Sequence, residues 1–105
     1  MITARWDGAY SLTIEGHAGY APMGQDIVCA GASTLAGTLV AELWHRQETG
    51  QGKLTATDDG QIYHIDFTPH AKFGDEIERV YAMIWRGFLL LADSYGAFVN
   101  AKLGD

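Results

Sequence analysis

The chain holds one cysteine, two prolines and seven basic residues, and its apolar runs are short. Each shortage excludes something. One cysteine, Cys29, cannot close an internal disulfide, so the expected setting is the reducing cytoplasm, where a free thiol survives. Seven lysines and arginines against thirteen acidic residues leave a formal charge of −6, which argues against a general nucleic-acid binder because phosphate contact needs a basic surface. The most apolar segment, VYAMIWRGFLLLA, is interrupted by Arg86 and too short for a bilayer. The opening MITARWDGAYSLTIEG alternates apolar and polar residues and lacks the apolar centre of a signal peptide. No repeat, linker or low-complexity tract divides the 105 residues, so a single domain over 1–105 is expected.

What is present is ordinary globular chemistry, with 48% apolar residues. Thr3 to Trp6 and Tyr10 to Ile14 read as strands joined by a two-residue turn at Asp7-Gly8. A loop from Gly16 to about Asp26 follows, with Pro22 and several glycines. From about Ile27 to Gln47 the period becomes helical, with Ala32, Leu35, Ala36, Leu39, Val40 and Leu43 on one stripe, and Gly50 with Gly52 ends the run. Lys53 to Thr57 and Gln61 to Thr68 flank Asp58-Asp59-Gly60 as a second hairpin that Pro69 stops. A second helix runs from about Gly74 to Tyr95, its stripe Ile77, Val80, Tyr81, Ile84, Phe88, Leu91 and Tyr95. Ala97 to Lys102 suits a short closing strand. The expected fold is α+β: a small antiparallel sheet in the order β-β-α-β-β-α, with that final β, and two helices packed on it.

Chemistry concentrates in EGHAGYAPMGQDIVCAGAS, from Glu15 to Ser33. A helix that begins within Asp26 to Cys29 places Cys29 in its first turn, beside unpaired N–H groups and the positive end of the dipole, a setting that favours thiolate. The N–H groups of Cys29 and Ala30 are candidate donors to an oxyanion. His17, across the loop, is a candidate general base and acid. The opposite reading also fits these residues: free cysteine is most often a small buried apolar side chain, and a His–Cys pair twelve residues apart is no general catalytic motif. Residue chemistry alone leaves both open.

The order and spacing of GHAGYAPMGQDIVCAGAS resemble the motif of the ribosomal-processing cysteine proteases, the Prp family: Gly-His-Ala, a short variable loop, then Asp-Ile-Val-Cys-Ala and a Ser or Thr. The resemblance implies an α/β fold that forms homodimers and a bacterial cysteine endopeptidase. That enzyme removes the N-terminal extension of large-subunit ribosomal protein number twenty-seven and exposes the mature N-terminus needed near the peptidyl-transferase centre. By position it makes His17 and Cys29 the catalytic pair. It makes Ala18 to Gln25, including Gly19, Tyr20 and Gly24, a segment that rearranges around substrate. Asp26 and Ser33 also fall on motif positions. Asp26 either orients His17 or caps the helix; Ser33 either bonds within the site or back to the carbonyl of Cys29. The glycines let the loop turn, and a small Gly31 permits close approach of a substrate or a helix.

Other constellations carry less. His45, His64 and His70 match no compact zinc spacing, so neither metal nor cofactor is expected. His64 reads as the outer face of a strand and His45 as a cation in a helix's last turns. Trp44, Trp85, Phe88 and Tyr81 read as core, while Met83, Trp85 and Leu90 fall off the main stripe and suit a helix-mediated dimer contact. The acidic residues Asp58, Asp59, Asp75, Glu76 and Glu78 are solvated surface, or steer a basic substrate. The expected partners are a ribosomal-protein precursor peptide and a second copy, without nucleic acid or membrane. Two alternatives remain: a non-catalytic, ribosome-associated binding dimer, and the same chemistry turned on phage structural precursors.

Overall fold

The computed structural model describes residues 1–22 and 24–104; Met23, inside the expected loop, lies outside the described residues. Five strands and two long helices follow the expected order. They are β1 (Ile2–Trp6), β2 (Ser11–Glu15), α1 (Ile27–Glu48), β3 (Gly52–Asp58), β4 (Ile62–Pro69), α2 (Gly74–Ser94) and β5 (Val99–Leu103), with a single 3-10 turn, Ala71–Phe73, leading into α2. The strands lie in the order β3-β4-β2-β1-β5. Three of the pairings are antiparallel, but β5 runs parallel to β1, with Ile2 opposite Val99 and Trp6 opposite Leu103. The sheet is therefore mixed. A parallel neighbour needs a crossover, and α2 supplies it.

Strand alternation sorts the sheet into two faces. Ile2, Ala4, Leu12, Ile65, Phe67 and Val99 point to one side and are buried. The other side carries polar residues such as Arg5, Thr13, His64 and Thr57, with Thr13 and Thr57 registered against His64. Both helices cover the apolar face. From α1 come Val28, Ala32, Ala36, Leu39 and Leu43, and from α2 Ile77, Val80, Tyr81, Ile84, Trp85 and Phe88. The Tyr81 hydroxyl donates to the Ile65 carbonyl at 2.9 Å, and burial pushes its pKa well above the ordinary phenol value. Gly31 faces α2: a Cβ there would stand 3.3 Å from Leu91 Cδ1. Of the two approaches open to Gly31, the structure places a helix.

Three expectations are corrected. The first hairpin has no two-residue turn, since Trp6 is the last residue paired, opposite Leu12. The Asp7 carboxylate accepts from the N–H groups of Ala9 and Ser11 and stabilises a wider loop. Meanwhile the Tyr10 carbonyl is taken by Phe67 N–H. Of the two tryptophans read as core, Trp85 is buried, its ring 6.1 Å from Trp6, but Trp44 is 55% exposed. Finally, the segment long and apolar enough by composition to cross a membrane is α1 itself. Here α1 packs as a core helix, with its buried stripe against the sheet.

Candidate active site

The site begins with the way α1 starts. Asp26 has extended backbone angles and caps the helix: one carboxylate oxygen accepts from Val28 N–H at 3.0 Å and Cys29 N–H at 2.9 Å. Its second oxygen reaches back to the loop and accepts from Tyr20 N–H at 3.1 Å and Ala21 N–H at 3.4 Å. One side chain thus fastens the middle of the loop to the start of α1. The Cys29 N–H, followed by those of Tyr20 and Ala21, holds the Asp26 carboxyl below the usual aspartate value, against a partly offsetting loss of hydration. Of the two readings open for Asp26, these contacts describe a cap.

Cys29 lies in the first turn, half-buried. Its sulfur accepts a hydrogen bond from the backbone N–H of Ala18 at 3.4 Å. Ala18 is 4% exposed, its methyl group part of the core. Burial of that small side chain pins residue 18 beside residue 29 and brings His17 with it. Upstream, β2 ends at Glu15, and Gly16 turns the chain with φ +88°. Gly16 N–H is held by the Gln61 carbonyl at 3.1 Å, and a Cβ there would run into the Met1 carbonyl. No other residue fits that turn without strain. It delivers His17, exposed, above the end of the sheet.

His17, Cys29 and Ser33 line two adjoining pockets. The first, about 180 Å³, is walled by Ile2, Ile14, Ala32, Ala36 and Tyr63 and edged by Asp58, Gly60 and Gln61 of the β3–β4 turn. The second runs under the loop past Gly19, Ala21, Gly24, Asp26 and Ala30. Together they form a groove that crosses the thiol. The loop wall is braced from outside, because the Tyr20 ring meets Tyr95 and Phe98 edge-on at 5.7 and 5.2 Å. Such a groove can hold an extended chain with a carbonyl against Cys29.

The structure brings His17, Asp26, Cys29 and Ser33 to one pocket and sets Ala18, expected only as part of the rearranging loop, against the Cys29 sulfur. It corrects one expectation: the N–H groups of Cys29 and Ala30 are not free for an oxyanion. The first is bound by Asp26 Oδ1 and the second donates to the Asp26 carbonyl at 3.0 Å. The cap that starts the helix consumes the donors that a bare helix end would offer. Sequence reasoning also missed the β3–β4 turn and Ile2 as walls. Their place follows from the register that sets Glu15 against Ile62 and Ile2 against Val99, which no local motif reports.

The model of the family "Cysteine protease Prp" matches residues 1–99. Among solved structures, an essential ribosomal processing protease Prp from S. aureus, bound to a covalently linked product peptide, superposes with a TM-score of 0.79. It is 23% identical, over 98% of this chain and 99% of that one. The same S. aureus protease with a substrate peptide gives 0.73 at 20% identity, over 98% and 99%. A Streptococcus mutans protein gives 0.73 at 31% identity, over 98% of this chain and 93% of the other. No curated protein matches the chain.

Proposed function

The chain belongs to the cysteine protease Prp family, and from that premise we propose that it is an endopeptidase using His17 and Cys29. The observation that carries the assignment is that Cys29 and His17 together line both adjoining pockets. In the proposed cycle His17 takes the thiol proton, and the thiolate sulfur forms a bond to the scissile carbonyl carbon. The carbonyl π pair moves to oxygen. Collapse of that oxyanion breaks the C–N bond, and the imidazolium returns its proton to the leaving amine. Water, deprotonated by His17, then attacks the thioester and frees the acid and the thiol.

The substrate we propose is the N-terminal extension of ribosomal protein number twenty-seven, cut in the cytoplasm by a homodimer. Family membership supports it, as does the structural likeness to a protease whose name describes ribosomal processing. So does the charge of −6, since an acidic enzyme attracts a basic precursor. Cys29→Ala and His17→Ala should each abolish cleavage of a peptide spanning that extension while circular dichroism and melting stay near the parent's. A folded Cys29→Ala protein that still cleaves overturns the assignment. A parent protein that binds the peptide uncut favours the binding-dimer alternative.

A further inference from the structure

We propose that the backbone N–H of Ala18 is the oxyanion donor of this site; the inference rests on Cys29 being the nucleophile. Two observations carry it. The amides at the start of α1, where a donor would first be sought, are spent. Those of Val28 and Cys29 bind Asp26 Oδ1, and that of Ala30 binds the Asp26 carbonyl. On the loop side, the amides of Tyr20 and Ala21 are spent on Asp26 Oδ2. The N–H of Ala18 instead points at the sulfur itself, 3.4 Å away.

That contact has the geometry of a donor waiting for charge to arrive. As the C–S bond forms, the carbonyl oxygen becomes anionic one bond beyond the carbon that the sulfur holds. A donor belongs about 2.7–3.1 Å from that oxygen. An N–H already in contact with the attacking sulfur needs only to exchange sulfur for oxygen, and the oxyanion is the stronger acceptor. When the C–N bond breaks, the electron pair returns from oxygen to carbon and the N–H is released. Nothing else in the step changes: His17 still carries the proton and the amine still leaves. The burial of the Ala18 methyl explains why the amide stays aimed, since its side chain is packed into the core while its N–H is held at the Cys29 sulfur. A residue of this size is then needed beside His17 for catalysis as well as for packing.

The test removes one hydrogen-bond donor and leaves every side chain at the site in place. Cys29 is the only cysteine, so a synthetic segment of residues 1–28 can be ligated to an expressed segment that begins at Cys29. Lactic acid in place of Ala18 turns the His17–Ala18 amide into an ester. Against the all-amide ligated protein, the ester should lose kcat/KM for the peptide by on the order of 10²–10³-fold, the usual effect of one oxyanion donor. Alkylation of Cys29 by iodoacetamide builds no oxyanion, so its rate should fall far less than cleavage does, by no more than the loss of the N–H contact to the sulfur brings. Affinity for a peptide aldehyde, which forms a tetrahedral adduct, should fall with kcat/KM, while that for a non-cleavable peptide holds. Unchanged cleavage by the ester overturns the inference. So does alkylation that falls as far as cleavage, because the amide would then serve the thiolate alone. An all-amide protein that is alkylated but never cleaves overturns the protease reading, and this inference with it.

Discussion

Asp26 concentrates more of the site in one side chain than any other residue. Its two oxygens hold the first turn of α1 and the loop that carries Tyr20 and Ala21. Asp26→Asn leaves one oxygen for the cap and turns an N–H₂ toward amides that need an acceptor. We expect the loop to release, with faster exchange of the Tyr20 and Ala21 amides and slower cleavage, while α1 stays helical. Unaltered exchange would show that the second oxygen does not hold the loop. Acid should do the same to the parent. The Asp26 pKa lies below the reference 3.8, so its contribution is present above that value and is lost as pH falls through the lower folded one. Amide exchange across pH 2 to 5 reads this, and Asp26→Asn should flatten the profile. The cap was legible in the sequence, as an aspartate just before a helical period. The grip on the loop was not, because it depends on Gly19 and Gly24 turning at positive φ to bring residues 20 and 21 back to residue 26.

At the scale of elements, the periodicities of two and 3.6 located every strand and helix, within the limits that fraying ends impose. They failed where two elements meet. Nothing local distinguishes Trp85 from Trp44. The first finds Trp6 across the core, while the second projects from the far side of α1. Nor does a single strand announce that its neighbour will be parallel. Junctions also carry the most sensitive positions. Gly16→Ala places a Cβ against the Met1 carbonyl on a backbone at φ +88°. A left-handed non-glycine costs roughly 1–2 kcal/mol before any clash. We expect a lowered melting temperature together with a larger loss of kcat, because relief of the clash moves His17. A variant with parental kcat would show that the turn does not position the imidazole.

For the molecule as a whole, one surface lacks the usual charge. From Ile27 to Ala41 helix α1 has no ionisable side chain except Cys29. The Thr34 and Thr38 hydroxyls turn inward to the carbonyls one turn back. Alongside, Met83 and Leu90 of α2 are each 66% exposed, and Leu90 rims a groove between the helices near Leu35 and Leu91. This is the face we assign to the proposed homodimer, being apolar, continuous and rimmed by polar residues. Leu90→Glu should shift sedimentation from dimer to monomer without changing the circular dichroism spectrum. Sedimentation of the variant unchanged from a dimeric parent would place the interface elsewhere. The sequence marked Met83 and Leu90 as off the buried stripe; the uncharged flank of α1 that joins them depends on how the two helices align.

The parallel pairing of β5 with β1 also imposes a schedule on the molecule. Ile2 forms a wall beside Cys29, and its N–H is held by the Phe98 carbonyl at 2.9 Å. Two strands separated in sequence by every other element must therefore meet before that wall is fully held. Contacts so distant in sequence are slow to form. The groove is complete only after synthesis has passed Leu103, so a nascent chain carries its thiol and its imidazole well before it has a place to seat a peptide.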